Sequence, residues 1–289
     1  MARQVQENFL ISFDVDVKQA YQETMKLRGT CRTRVGVIGK THRFPVFGKG
    51  MAVPRVARTP VVPIGASQGY KELTLTDWQA AEYSGIEELD KINYDERREL
   101  AKMVASAIGR RSDQLMLDAM SGDTNIVPVP MDLGGSNVFN LDKLLRLRTL
   151  MSDNGVPAEG RFIAVRPAVI EQALKLEQVG SVDYNTMRAL SSGELNTYAG
   201  FRFIEIAGNR KEGGLPETVA GDVHTITSFA WHRDAVGVGI GRDMSIDMDW
   251  IPDMRSWLIY AGYTGGACVI DPEGVFKLSS QYSDSGVLP

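Results

Sequence analysis

At 289 residues the chain is long enough for one large domain or two ordinary ones around a sizeable core. Hydrophobic residues are 43% and charged residues 24%, which excludes wholesale disorder, and a formal net charge of −4 argues against a surface built throughout to grip nucleic acid. The two cysteines, Cys31 and Cys268, are too few for a disulfide scaffold or a cysteine metal site.

The apolar run from Phe9 to Phe13 stops at Asp14, short of a signal-peptide core and of a membrane span, so no membrane partner is expected. The stretch "FDVDVKQAYQETMKLRG" spaces Val17, Ala20, Tyr21 and Leu27 as a short helix and closes on Gly29. From Arg32 to Lys71 there is no Asp or Glu at all. Pro45, Pro54, Pro60 and Pro63 exclude helix there and leave edge strands and turns, an extended hairpin or loop. Its many apolar residues, Val35, Ile38, Phe44, Phe47, Val53 and Val61 among them, are too numerous for a solvated tail. An isolated hairpin is not stable by itself, so a partner surface is implied.

Charge then reverses sign. Glu72, Asp77, Glu82, Glu87, Glu88 and Asp90 follow with no Lys or Arg between them. The two blocks could attract each other, within a chain or between chains, or could be two separately solvated faces.

"NYDERRELAKMVASAIGRRSDQLMLDAMSG" carries the strongest periodic signal. Leu100, Val104, Ile108, Leu115 and Ala119 share a face, acids fill the first turns and Gly122 follows the last, so a single helix of about 26 residues and roughly 39 Å is predicted. "VPVPMDLGGSN" marks a boundary, after which "NLDKLLRLRTLMSDNG" reads as helix, "RFIAVRP" as strand, "AVIEQALKLEQVG" as helix and "GFRFIEIAG" as strand. "SVDYNTMRALSSGELNTYAG" reads as a polar loop. "TITSFAWHRDAVGVGIG", "MSIDMDWI" and "SWLIYAGYTGGACVI" are β-rich, and a turn at "DPEG" leads into a last strand, "VFKLS".

Catalytic and ligand-binding motifs find little support in the chain. "GASQG" matches the G-x-S-x-G elbow around Ser67, but that elbow needs a strand before and a helix after, whereas prolines precede it and "YKELTLT" alternates like a strand. "LISFDVDV" resembles the D-x-D of haloacid-dehalogenase-like phosphatases, with Asp14 as nucleophile and Asp16 as acid and base, yet no βα crossover follows. "GVGIGRD" lacks the Lys-Ser/Thr of a phosphate loop and reads better as strand glycines approached closely by another backbone. His42, His224 and His232 show no metal-ligand spacing, so no metal and no cofactor are expected. A nucleic-acid-binding arm is the remaining rival, but few aromatics accompany the bases and the pI near 5.5 opposes it.

The order of parts, and above all "DWQAAEYSGIEELDKINYDERRELAKMVASAIGRRSDQLMLDAMSG" with "RFIAVRPAVIEQAL", "AGFRFIEIAG" and "SFAWHRDAVGVGI", resembles the major capsid proteins of tailed phages, which share the Hong Kong 97 fold. The resemblance implies an α+β chain divided into an N-terminal arm (1–35), an extended E-loop hairpin (36–72), a peripheral domain with a long spine helix (73–135), an axial α/β domain (136–242), returning peripheral strands (243–264) and a C-terminal axial segment (265–289). It implies no catalysis, residence in the virion after assembly in the host cytoplasm, and a subunit that joins copies of itself as hexamers and pentamers. A portal, separate scaffolding or decoration proteins, and weakly held packaged DNA are the other implied partners. Inter-subunit contacts are expected from Arg32, Arg34, Lys40, Arg43, Phe44, Phe47, Lys49, Arg55 and Arg58 on the arm, and from Glu72, Asp77, Glu82, Glu87 and Glu88 behind it.

Overall fold

In a computed structural model the described residues are 24–55, 57–58, 60–61, 63, 65–85, 96–174, 197–208, 210 and 212–283. Most of the proposed N-terminal helix, the D-x-D at Asp14 and Asp16, most of the polar loop after residue 180, and Glu87 and Glu88 lie outside them, while residues 24–29, the expected end of that helix with Leu27 and Gly29, are not helical.

The chain begins with β1 (Arg32–Val35), β2 (Thr41–Phe47), β3 (Gln68–Thr74) and β4 (Thr76–Gly85), then the helix α1 (Glu96–Gly122). The strand β5 (Val127–Val129), α2 (Leu141–Asp153), β6 (Arg161–Val165) and α3 (Pro167–Leu174) follow, then β7 (Thr197–Tyr198), β8 (Phe201–Glu205) and β9 (Glu217–Ala220). Three long strands, β10 (Val223–His232), β11 (Val236–Ile251) and β12 (Ser256–Val269), precede a 3-10 turn at Pro272–Gly274 and the last strand, β13 (Val275–Ser283).

These build a seven-stranded sheet, in the order β5-β13-β10-β6-β8-β7 with β9 also on β10, and a four-stranded sheet, in the order β1-β11-β12-β4. The hairpin of β2 and β3 forms a separate two-stranded piece. Sheet membership cuts the chain differently from the divisions at 135 and 242: β5 already joins the seven-stranded sheet, and β11 enters the four-stranded sheet at Val236. Pro128 is tolerated in β5 because that strand is an edge, where a missing N–H can face outward.

The long helix forms as the periodicity predicts, running 27 residues to Gly122. Its buried face is Val104, Ile108, Gly109, Asp113, Met116, Leu117 and Met120. Val104 and Ile108 are buried as predicted, whereas Leu115 and Ala119 are only partly buried and Met116 and Met120 are buried beside them, so the stripe drifts by about one position in the second half of the helix. The face packs into one core shared with Leu144, Leu147 and Met151 of α2 and with Ile163, Phe229 and Trp231 of the seven-stranded sheet. Asn140 caps α2 by accepting the Lys143 amide at 2.9 Å, and Pro167 opens α3 where an absent N–H is harmless.

Candidate functional site

The acid-free stretch divides physically into a base and a tip. At the base, Phe44 of β2 and Leu73 of β3 are 3% and 1% exposed and pack with Ile270 of the same chain. Glycines make that seat. A Cβ on Gly237 would lie 2.7 Å from the Phe44 ring, and one on Gly239 would collide with Leu73 Cδ2. On β12, a Cβ on Gly266 would collide with the carbonyl oxygen of Thr74. The "GVGIG" glycines therefore form a floor for the arm's side chains, while the predicted close backbone approach occurs at Gly266.

Phe44 is thus buried within its own subunit, which leaves its ring little surface for the inter-subunit contact expected of it. The tip differs. From Gly48 to Ser67 no described residue is helix or strand, and Phe47, Met51, Val53 and Val61 are 66%, 81%, 59% and 81% exposed. Ile38, beside the base, is 97% exposed. Arg55 and Arg58 are exposed, Arg58 in a left-handed turn with φ 64°.

The expected charge pairs are partly satisfied within the chain. Arg43 Nε donates to Glu72 at 3.0 Å across the hairpin, and its guanidinium lies 4.4 Å from the Tyr70 ring centroid. That bond holds the Arg43 guanidinium above its ordinary range. Lys49 Nζ reaches Glu273 at 2.6 Å, which likewise raises the ammonium, and Thr264 donates to Asp77 at 2.6 Å. Glu82 accepts the amide of Tyr83 at 3.3 Å. Arg32 lies over the Phe44 ring at 5.9 Å, while Arg34 and Lys40 stand at the surface. All of these ionic contacts are solvent-exposed, where a pair contributes little and is readily exchanged.

A second charged feature was not foreseen. Asp113, in the middle of α1, accepts the amides of Lys26 and Leu27 at 2.9 and 3.0 Å and the guanidinium of Arg210 at 3.0 Å. Both side chains of this ion pair are 1% exposed. Burial pushes the Asp113 carboxyl upward, and the two amides and Arg210 pull against it. Arg210 also donates to the carbonyls of Thr24 and Gly213, so one guanidinium ties the incoming chain, the long helix and the loop before β9. The one signal in the sequence is an acid inside the helix's apolar sector.

Among the described residues nothing resembling an active site assembles. Ser67 is followed by β3 rather than the helix an elbow needs. Among the described residues no group of three His, Cys, Asp or Glu could hold a metal, and no helix is long and apolar enough to cross a membrane. His224 instead bonds Glu217 at 2.8 Å and stacks on Tyr282, and Arg166 donates to the same Glu217 at 2.7 Å.

What this arrangement does favour is contact with other protein, and the comparisons agree. The family model described as phage capsid protein matches residues 5–281, almost the whole chain. The chain belongs to the phage capsid protein family. No curated protein sequence matches it. Among solved structures, the capsid of cyanophage P-SCSP1u superposes with a TM-score of 0.76 at 15% identity, covering 97% of this chain and 95% of that one. The head structure of Helicobacter pylori bacteriophage KHP40 gives 0.73 at 12% identity over 95% and 96%. A virus-like particle from Pyrococcus furiosus gives 0.56 at 14% identity over 88% and 92%. The fold is therefore the mixed α+β fold of tailed-phage capsids, as the sequence resemblance implied, and the protein is a structural major capsid protein, not an enzyme.

Proposed function

We propose that this capsid protein assembles through hexamers and pentamers into an icosahedral or prolate head around double-stranded DNA, each subunit gripping the next with the arm of residues 36–72. In this reading the four-stranded sheet and α1 form the peripheral domain, and the seven-stranded sheet with α2 and α3 forms most of the axial domain. The observation that carries it is the division of the arm. Its base is anchored by Phe44 and Leu73, and its tip holds Met51, Val53 and Val61 exposed among the described residues.

An extended arm gives a subunit more contact area than its compact body can, and a shell needs that contact repeated between identical copies. The net charge of −4 keeps the chain from holding packaged DNA tightly, so the genome can leave. Assembly in the host cytoplasm, a portal, and separate scaffolding or decoration proteins complete the proposal.

The test is a shortened arm. Replacing residues 50–66 by a short Gly/Ser turn keeps Phe44 and Leu73 on their glycine floor. The variant is expected to sediment as a folded subunit or small oligomer, with an unchanged circular dichroism spectrum, and to form no particles by negative-stain imaging. Normal shells from this variant would overturn the role of the arm.

A further inference from the structure

Three buried arginines spend their guanidinium donors inside the subunit. Arg161 donates to the carbonyls of Pro157 and Val156 at 2.8 and 2.6 Å, Arg166 to Glu217 at 2.7 Å, and Arg210 to Asp113 and to two carbonyls. Arg111, in the middle of α1, differs from all three. Its side chain is only 22% exposed, yet among the described residues its guanidinium finds no hydrogen-bond acceptor. Glu212 lies 4.0 Å from one terminal nitrogen, an ionic contact too long for a hydrogen bond.

What holds Arg111 is a ring. Its guanidinium carbon lies 3.7 Å from the ring centroid of Trp78 on β4. A planar cation stacked on an indole is held flat, so its fork is set in advance for a ligand that meets its edge. Arg111 Nε and Trp78 Nε1 are both shut off from solvent without an acceptor among the described residues, which leaves this wall richer in donors than in acceptors. The stacked pair lines a cleft of about 450 Å³ between β4, α1 and the loop at Glu212, a volume that suits a small ligand or a single side chain. Ala80, Ala107 and Ile108 give the cleft an apolar side. Arg110 adds a second positive charge, against the one acid of the lining, Glu212.

We propose that this cleft binds a carboxylate carried on a short aliphatic stem, either a free small acid or the side chain of an acidic peptide. The two oxygens of a carboxylate match the side-by-side donors of a guanidinium, and the terminal nitrogens of Arg111 are the part of the fork left to meet them once Nε is covered. The stem lies along Ala80 and Ala107. A singly charged group is repelled by Glu212 less than a doubly charged phosphate is. The stretch from Arg32 to Lys71 has no carboxylate to offer, so this site is separate from the grip of the arm.

The experiment titrates the full chain at constant ionic strength with propionate and with the blocked peptide acetyl-Ala-Glu-Ala-amide, and follows tryptophan fluorescence. A saturable change is expected with a dissociation constant on the order of 1 mM, absent with chloride and absent in Trp78→Phe. Arg111→Met, apolar and of similar length, is expected to weaken binding by about tenfold or more, and Arg111→Lys, which keeps the charge but not the fork, by several-fold. Glu212→Gln is expected to tighten it by about threefold, a gain that no folding defect produces. Equal affinity for the two probes means that the carboxylate alone is read, and a preference of about tenfold for the peptide means that the cleft is shaped for a second polypeptide; both results uphold the site. No saturable change with either probe overturns it, as does binding that persists in Arg111→Met. Inorganic phosphate binding more tightly than propionate overturns the assignment to a carboxylate.

Discussion

The junction at Asp113 and the arm at Arg43 hold the same kind of bond, a guanidinium on a carboxylate at 3.0 Å, in opposite surroundings. At the junction both partners are 1% exposed, and the carboxylate also takes two backbone amides. On the arm the partners are 60% and 42% exposed. In water such a pair is weak and exchangeable, which suits a surface that must find a neighbour. Out of water it is costly to break, which suits a point that fixes how three parts of one subunit meet.

Breaking the buried side of this comparison has the largest expected effect. Asp113→Ala strands Arg210 in the core and removes the acceptor for Lys26 and Leu27, so denaturant unfolding of the unassembled subunit is expected to show a loss of about 3–5 kcal/mol. A loss under 1 kcal/mol would mean that the junction relaxes and solvates Arg210.

The seat of the hairpin lies between the extremes. Gly266→Ala places a methyl group against the Thr74 carbonyl, backbone that cannot swing aside as a side chain does. A destabilisation of about 1–3 kcal/mol is expected, together with faster limited proteolysis at the arm. Unchanged cleavage would show that the base is not held by that contact. The exposed side gives the smallest effect: Arg43→Ala is expected to leave the unfolding midpoint unchanged within error, since solvent replaces Glu72. A clear shift in the midpoint would mean that the pair braces the hairpin and would blur the distinction drawn between arm and junction.

Much of the fold was legible along the chain. The long helix, the helix capped by Asn140, the strand stopped before Pro167 and the final strands all rest on local period and punctuation, which act over a few residues. The candidate site was legible only in part. The acid-free run and its apolar content marked the arm, but they could not separate Phe44, buried at home, from Met51, held in solvent. "MSIDMDWI" read correctly as a strand, yet alternation does not say whether a strand has one neighbour or two.

By itself, then, the sequence determined which segments are helix, strand and arm, because periodicity, proline and glycine act on the nearest residues of the chain. It also determined the sign of each surface, because charge is a property of composition. Only the tertiary structure decided which charges are spent inside the subunit and which stay available. Asp113 meets Lys26 and Arg210 from positions 87 and 97 residues away, and among the described residues β11 has no outer strand neighbour past Ile240 because β1 ends at Val35. Burial and strand pairing are relations between distant parts of the chain, and no local pattern encodes them.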